Sequence, residues 1–134
     1  METLFVYGTL RRGGVRALPS LFPEAQFLGF GMIRGWLYDF GDFPGLLFDP
    51  EGEAVIGEVY RISTAALKQI DAIEEWNPQA PQTSLYFRRW RAVELRDGGQ
   101  VEAWVYECNP AHLPCTKRIP GGDWIAFVSA HAHH

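Results

Sequence analysis

The sequence contains one helical segment among several short strand-like runs. This pattern limits the choice of fold. The runs are rich in β-branched and aromatic residues, and turns separate them in a chain with 14 Gly and 9 Pro. This pattern predicts about six strands, at residues 3–7, 26–40 (as one bent strand or two short ones), 46–48, 54–62, 85–95 and 101–109. The last two flank RDGGQ, a strong hairpin signal. Because closure removes exposed sheet edges, we expect a small α+β domain with a strongly curved or closed sheet.

A length of 134 residues suits one domain and is too short for two of ordinary size. We assign the domain to residues 1–128 and a tail to residues 129–134. Histidines in a terminal tract are commonly part of a frayed end, so we expect no metal site in this tail, which contains His131, His133 and His134.

Charge and hydropathy argue against nucleic-acid and membrane partners. The formal net charge is −4, whereas a nucleic-acid surface usually needs a positive balance. No apolar stretch approaches the roughly 20 residues needed to cross a bilayer. The N-terminus lacks the basic lead and cleavage site of an export signal, so we expect a cytoplasmic protein. The spacing of Cys108 and Cys115 matches no zinc or redox motif, and each is predicted to be a small, reduced core residue.

The main helix is predicted over residues 64–75. Ser63 is a suitable N-cap because its hydroxyl can accept from the first free backbone N–H groups. Asn77 precedes Pro78, and a residue before proline avoids the helical region, so this pair is predicted to end the helix.

Glu74 lies on the apolar face of this helix. At about 100° per residue, it falls between Leu67 and Ile70, whereas Glu75 falls on the polar side. Burial and the negative end of the helix dipole both raise the pKa of such a carboxyl group. A group poised for proton transfer near neutral pH is one interpretation. A structural carboxylate paired with an arginine of the next strand is the other, and that strand offers Arg88, Arg89 and Arg91.

A glycine turn follows the first predicted strand, in the segment Tyr7-Gly8-Thr9-Leu10. Gly8 can adopt backbone angles that let successive N–H groups converge on one point and form an anion-binding nest. Thr9 adds a hydroxyl donor. Such a turn suits a carboxylate or a developing oxyanion. A tight turn that simply requires glycine is the alternative interpretation.

Several segments together resemble the gamma-glutamylcyclotransferase-like family. In chain order they are VYGTLRRG near the N-terminus, GEVYRI, LKQIDAIE ending at Glu74, Tyr86 with Arg88 on the following strand, and PGGDW near the end. The YGTL form and the short N-terminus are most similar to the gamma-glutamylamine cyclotransferase branch. The sequence departs from the family pattern at Glu75, where glycine is frequent.

The resemblance implies a small mixed β-barrel flanked by helices. It implies that Tyr7, Gly8, Thr9 and Leu10 form the substrate-binding loop and that Glu74 is the general acid/base. Tyr86 and Arg88 are further substrate-site candidates, with barrel packing or an ion pair as the alternative. Each residue is numbered as in this chain.

The activity implied is cyclisation of a small gamma-glutamyl amide to 5-oxoproline and a free amine, without metal, cofactor or covalent enzyme nucleophile. One alternative is a non-catalytic module that binds a glutamyl-like or amino-acid ligand in the same pocket. Another is a partner-docking protein with an exposed aromatic patch around Trp36 and Trp90.

Overall fold

The computed structural model describes residues 1–14, 16–111 and 117–130. The strands in these ranges are β1 (Glu2–Val6), β2 (Gln26–Asp39), β3 (Pro44–Phe48), β4 (Glu53–Ile62), β5 (Tyr86–Leu95), β6 (Gln100–Cys108) and β7 (Lys117–Ile119). The α-helices are α1 (Leu18–Leu21), α2 (Thr64–Ile73) and α3 (Trp124–Ala130), and a 3-10 turn spans Pro81–Thr83.

Five strands close into a barrel. β1 pairs antiparallel with β4, β4 with β2, β2 with β5, and β5 with β6. β6 then returns to β1 in parallel, with Leu4 opposite Trp104. β3 lies between β2 and β6, and β7 extends from β2. The predicted α+β barrel is confirmed. The three-residue β7 was not predicted because it is too short to show a sequence period.

The predicted bend in the second strand is a bulge within one long strand. β2 runs unbroken over 14 residues, and its register against β4 shifts between Phe27 and Gly29. A bulge increases the local twist. The bent β2 pairs with β3, β4, β5 and β7.

Two apolar cores lie on opposite sides of β1. Leu4 and Val6 belong to the cluster that includes the buried face of α2, whereas Phe5 and Tyr7 belong to the cluster inside the barrel. This division follows from the alternation of side chains along a strand. Because both faces of β1 are covered, the loop that follows it starts from a firmly held strand end.

The helix α2 begins as predicted and ends earlier than predicted. The Ser63 hydroxyl accepts from the Ala66 N–H at 3.0 Å. The last helical residue is Ile73, because Glu75 adopts the left-handed conformation with φ 54°. The chain therefore leaves the helix before it reaches Asn77, and Glu74 is the C-cap residue.

The apolar segment at residues 125–128 belongs to α3. This helix continues to Ala130, past the predicted domain boundary at residue 128. Cys108 is a buried free thiol, as predicted. Cys115 and the three tail histidines lie outside the described residues. Within the described part of the chain, no helix has the length and apolarity needed to span a membrane.

Candidate active site

A narrow cleft opens where β1 ends, beside the C-terminal end of α2 and the start of β3. It encloses about 340 Å³ of empty space, counted to its open mouth. Six of the predicted site residues line it together: Tyr7, Gly8, Thr9, Leu10, Glu74 and Tyr86. Residues from the beginning, middle and end of the chain thus meet in one cleft.

The Glu74 carboxylate reaches this cleft without a partner. Within the described residues it makes no hydrogen bond and no ion pair. Burial raises the pKa of Glu74 from 4.5 to about 7, the Arg16 guanidinium opposes this rise, and the Glu75 carboxylate adds to it. The carboxyl group is therefore half ionised near neutral pH and is free to exchange a proton with a bound molecule.

Two of the three arginines that the next strand offers to Glu74, Arg88 and Arg91, are engaged elsewhere. Arg88 Nη1 lies 3.5 Å from Asp71 Oδ2. The Arg88 guanidinium also lies over the Trp104 ring, 4.5 Å from its centroid. Arg91 Nε lies 2.7 Å from Glu107 Oε2. Arg88 is not among the described residues that line the cleft, and it forms an ion pair with Asp71.

The loop after β1 presents backbone donors to the cleft. The carbonyls of Gly8, Thr9 and Leu10 accept from the N–H groups of Arg11, Arg16 and Leu18, respectively, at 2.8–3.0 Å. Within the described residues, no acceptor is found for the N–H groups of Gly8, Thr9 and Leu10. The residues Gly8, Thr9 and Leu10 line the same cleft as Glu74. Three unpaired donors suit an anionic group, such as a carboxylate.

Gly8 is required by close packing. Its φ is not positive. A Cβ atom there would lie 2.7 Å from Pro44 Cγ and 2.8 Å from Pro44 Cδ. Only glycine lets the loop approach the start of β3 this closely.

The tyrosines of the cleft hold its walls together. The Tyr7 hydroxyl donates to the Tyr106 carbonyl and accepts from the Leu46 N–H at 3.0 Å. The Tyr86 hydroxyl donates to the Pro44 carbonyl. Burial raises the pKa of Tyr7, Tyr86 and Tyr106 above the ordinary value. These phenols stay neutral near pH 7, so among the described lining residues Glu74 is the group that titrates there.

Tyr106 and Asp71 support the end of α2. The Tyr106 hydroxyl donates to Asp71 Oδ1 at 2.6 Å, while Asp71 also holds Arg88. Sequence reasoning missed this network and the lining residues Tyr106 and Pro44. Asp71 lies three residues before Glu74, and an acidic residue at one helical turn from a candidate base was the available signal.

A buried acidic residue contacts the loop after β1, and sequence reasoning also missed it. Glu58 is 2% exposed and accepts from the Arg12 N–H at 3.1 Å and from the Tyr60 hydroxyl at 2.8 Å. Its Oε2 lies 3.8 Å from Arg11 Nε, and Arg11 also contacts Asp123 at 2.8 Å. The signal was a lone glutamate inside an apolar strand, since an unpartnered charge is too costly to bury. Through its contacts with Arg11 and Arg12, Glu58 anchors the loop after β1.

The described part of the chain offers no evident set of metal ligands. No group of three or more His, Cys, Asp or Glu residues there is arranged to hold a metal ion.

Comparison with known proteins gives a family match over most of the chain. A family model described as gamma-glutamyl cyclotransferase, AIG2-like, matches residues 4–126. The chain is 38% identical to gamma-L-glutamyl-butirosin B gamma-glutamyl cyclotransferase of Niallia circulans, over 98% of this chain and 81% of that protein. It is 32% identical to a putative gamma-glutamylcyclotransferase of Methanocaldococcus jannaschii, over 92% and 96% of the two chains.

The fold is shared as well. The crystal structure of an AIG2-like protein from Mus musculus superposes with a TM-score of 0.69 at 30% identity, covering 85% of this chain and 80% of that one.

Proposed function

Because the chain belongs to the gamma-glutamyl cyclotransferase, AIG2-like family, we propose that it cyclises small gamma-glutamyl amides to 5-oxoproline with Glu74 as general acid/base. The observation that carries this proposal is an unpaired carboxyl group with a pKa of about 7 in a cleft whose wall includes three residues with unpaired backbone N–H groups. No metal or cofactor is part of the proposed reaction.

The loop amides hold the substrate by its α-carboxylate. The N–H groups of Gly8, Thr9 and Leu10 supply the donors, and Arg16 adds positive charge near the cleft, since it lowers the pKa of Glu74. Binding at this end folds the substrate so that its α-nitrogen can approach its own γ-carbonyl carbon. Holding two reacting groups of one molecule in contact supplies much of the rate gain in such a cyclisation.

Glu74 moves one proton in each turnover. Its carboxylate removes a proton from the substrate α-ammonium group, and the freed amine attacks the γ-carbonyl carbon to form the ring carbon–nitrogen bond. Glu74 then returns that proton to the departing nitrogen as the amide bond breaks. The ring nitrogen loses its second proton as the lactam forms, and this proton leaves with the released amine. The products are therefore 5-oxoproline and an ammonium ion, and the Glu74 carboxylate is regenerated.

The substrate class includes gamma-glutamyl amides other than peptides. One relative is named as a gamma-glutamyl cyclotransferase of gamma-L-glutamyl-butirosin B. We extend this breadth to the present chain and favour gamma-glutamylamines, in keeping with its YGTL loop.

A panel of gamma-glutamyl amides tests the proposed function. Release of 5-oxoproline, followed by mass spectrometry, is expected for at least one amide in the panel. Binding of 5-oxoproline without turnover of any member would contradict the enzyme and support a module that only senses such a ligand.

The pH dependence of kcat/KM is expected to follow Glu74. The carboxylate form is required for the first proton transfer, so activity is lost as pH falls below about 7, by roughly tenfold for each further pH unit. The measurement is kcat/KM for a responsive amide between pH 5 and pH 8. A profile that stays flat down to about pH 5 would exclude a base with this pKa.

Glu75 is expected to lower the stability of the fold and to raise the pKa of Glu74. Its φ of 54° disfavours a side chain, and its carboxylate raises the pKa of Glu74. Glu75→Gly removes the strain and the charge, so it should increase the unfolding free energy by about 0.5–1 kcal/mol and shift the acidic limb of kcat/KM to lower pH. Glu75→Gln removes only the charge and should shift the limb without the gain in stability. Equal unfolding midpoints in urea for the two variants would contradict the strain.

A further inference from the structure

A second cavity adjoins the cleft on the far side of Thr9. It encloses about 620 Å³ of empty space, counted to its open mouth, and its wall includes Asp42 and the α3 residues Trp124, Ile125 and Val128. The two cavities share Thr9. They also share the β2–β3 turn, where Asp42 lines the second cavity and Phe43 lines the cleft.

We infer that this second cavity binds the amine that leaves, and that it favours an aliphatic amine carrying a second, positively charged nitrogen. This inference rests on the proposed function, because it concerns the portion of the substrate beyond the scissile amide. A γ-glutamyl group held by the loop amides fills the cleft beside Glu74. Its amide substituent then extends past Thr9 into the neighbouring space.

The charge at the second cavity favours a cation. Asp42 is exposed, and it is the charged residue among the described residues that line this space. Within the described residues its carboxylate has no ion pair. Asp39, in the same turn, uses Oδ1 to accept from the Gly41 N–H at 2.7 Å. An ammonium group entering the cavity would therefore meet an available carboxylate.

No described cation of the loop after β1 or of β7 forms an ion pair with Asp42. Arg11 is held by Asp123 at 2.8 Å. The Arg12 guanidinium lies over the Phe27 ring, 4.2 Å from its centroid. Lys117 is opposite Asp39 in the pairing of β2 with β7, and neither it nor Arg16 lines the cavity.

The remaining wall suits a hydrocarbon spacer. Trp124, Ile125 and Val128 give one side of the cavity an apolar surface from successive turns of α3. Methylene groups gain free energy when such a surface removes them from water. An apolar wall with one carboxylate is the complement of an alkyl chain that ends in an ammonium group.

Three matched substrates test this inference. They are the gamma-glutamyl amides of methylamine, n-pentylamine and cadaverine, of which the last two differ only in a terminal ammonium group. The wild-type protein is expected to prefer the cadaverine amide over the n-pentylamine amide by about 2–5-fold in kcat/KM, the range of a partly exposed ion pair. Asp42→Asn should bring this ratio to about one. Asp97→Asn, the same change in the β5–β6 turn and outside both cavities, should keep the wild-type ratio.

A second variant tests the apolar wall independently of the charge. Val128 is 42% exposed, so Val128→Trp can narrow the cavity without disturbing the core. It should lower kcat/KM for both long amides relative to the methylamide by about threefold or more, the loss of one or two buried methylene contacts.

The outcomes separate this inference from the function on which it rests. If the methylamide is turned over but the kcat/KM ratio of the cadaverine to the n-pentylamine amide is near one, the subsite is overturned and the proposed cyclotransferase activity is retained. The same conclusion follows if Asp42→Asn leaves a cadaverine preference unchanged. Absence of turnover for all three amides would overturn the proposed function and the subsite together.

Discussion

Replacement of Glu74 by glutamine is expected to lower 5-oxoproline release by about 100-fold or more. Glutamine keeps the size of the side chain and its place in the cleft, but it cannot take the proton from the α-ammonium group or deliver it to the leaving nitrogen. Because no other described lining residue titrates near pH 7, no neighbour can replace the lost group. Steady-state turnover of a responsive gamma-glutamyl amide measures the effect.

The same substitution should leave a folded and more stable protein. The pKa of Glu74 is about 7 in the folded chain against an ordinary value of 4.5. The folded state therefore binds the proton more tightly, and ionisation progressively destabilises it as pH rises from 4.5 through 7. At pH 8, Glu74→Gln should gain about 3 kcal/mol of unfolding free energy over the wild type. Glu75→Gln, a neighbouring carboxylate removed in the same way, is the matched control and should keep its turnover. Retained turnover in Glu74→Gln would remove Glu74 from the mechanism.

Replacement of Glu58 by alanine is expected to destabilise the protein by about 3 kcal/mol, because it removes a buried charge that balances Arg11 and leaves two hydrogen-bond donors without their acceptor. Asp123 remains the other partner of Arg11. The side chains of Arg11 and Glu58 are 10% and 3% exposed, so Arg11 would lose a partner where little water can replace it. The Arg12 N–H and the Tyr60 hydroxyl would also lose their acceptor. The loop whose amides line the cleft begins three residues before Arg11, so its position should loosen and KM should rise.

Urea denaturation of Glu58→Ala measures this loss. Glu102→Ala is the matched control, because Glu102 is exposed and its carboxylate accepts one bond, from Trp90 Nε1 at 3.0 Å. The control should change the unfolding free energy by less than about 0.5 kcal/mol. If the two variants lose the same stability, Glu58 does not anchor the loop.

Local sequence patterns predicted the features that depend on near neighbours. The period of α2 placed Glu74 on the apolar face, since helix geometry fixes the relation of residues three and four apart. The structure places its carboxylate in the cleft. The RDGGQ turn indicated the β5–β6 hairpin, and their pairing is antiparallel as expected. The closed sheet followed from the number of short strands that had to avoid free edges.

Features that depend on distant contacts could not be read from the sequence. Gly8 is required by Pro44, which lies 36 positions further along the chain, and no local pattern joins them. The early end of α2 arises at Glu75, whose carbonyl accepts from the Leu85 N–H at 3.2 Å. The partner of Arg88 was also a matter of tertiary geometry, because Asp71 and Glu74 lie on the same helix and only the packing selects between them.

The titration of Glu74 itself is the sharpest test of its proposed role as the proton carrier. The carboxyl carbon of Glu74 can be followed by ¹³C NMR in protein labelled at glutamate, and the missing signal in Glu74→Gln identifies it. A midpoint near pH 7 is predicted, because the carboxylate is buried in the cleft without a partner. A midpoint close to the ordinary 4.5 would show a hydrated or paired carboxylate and would contradict its role as the proton carrier.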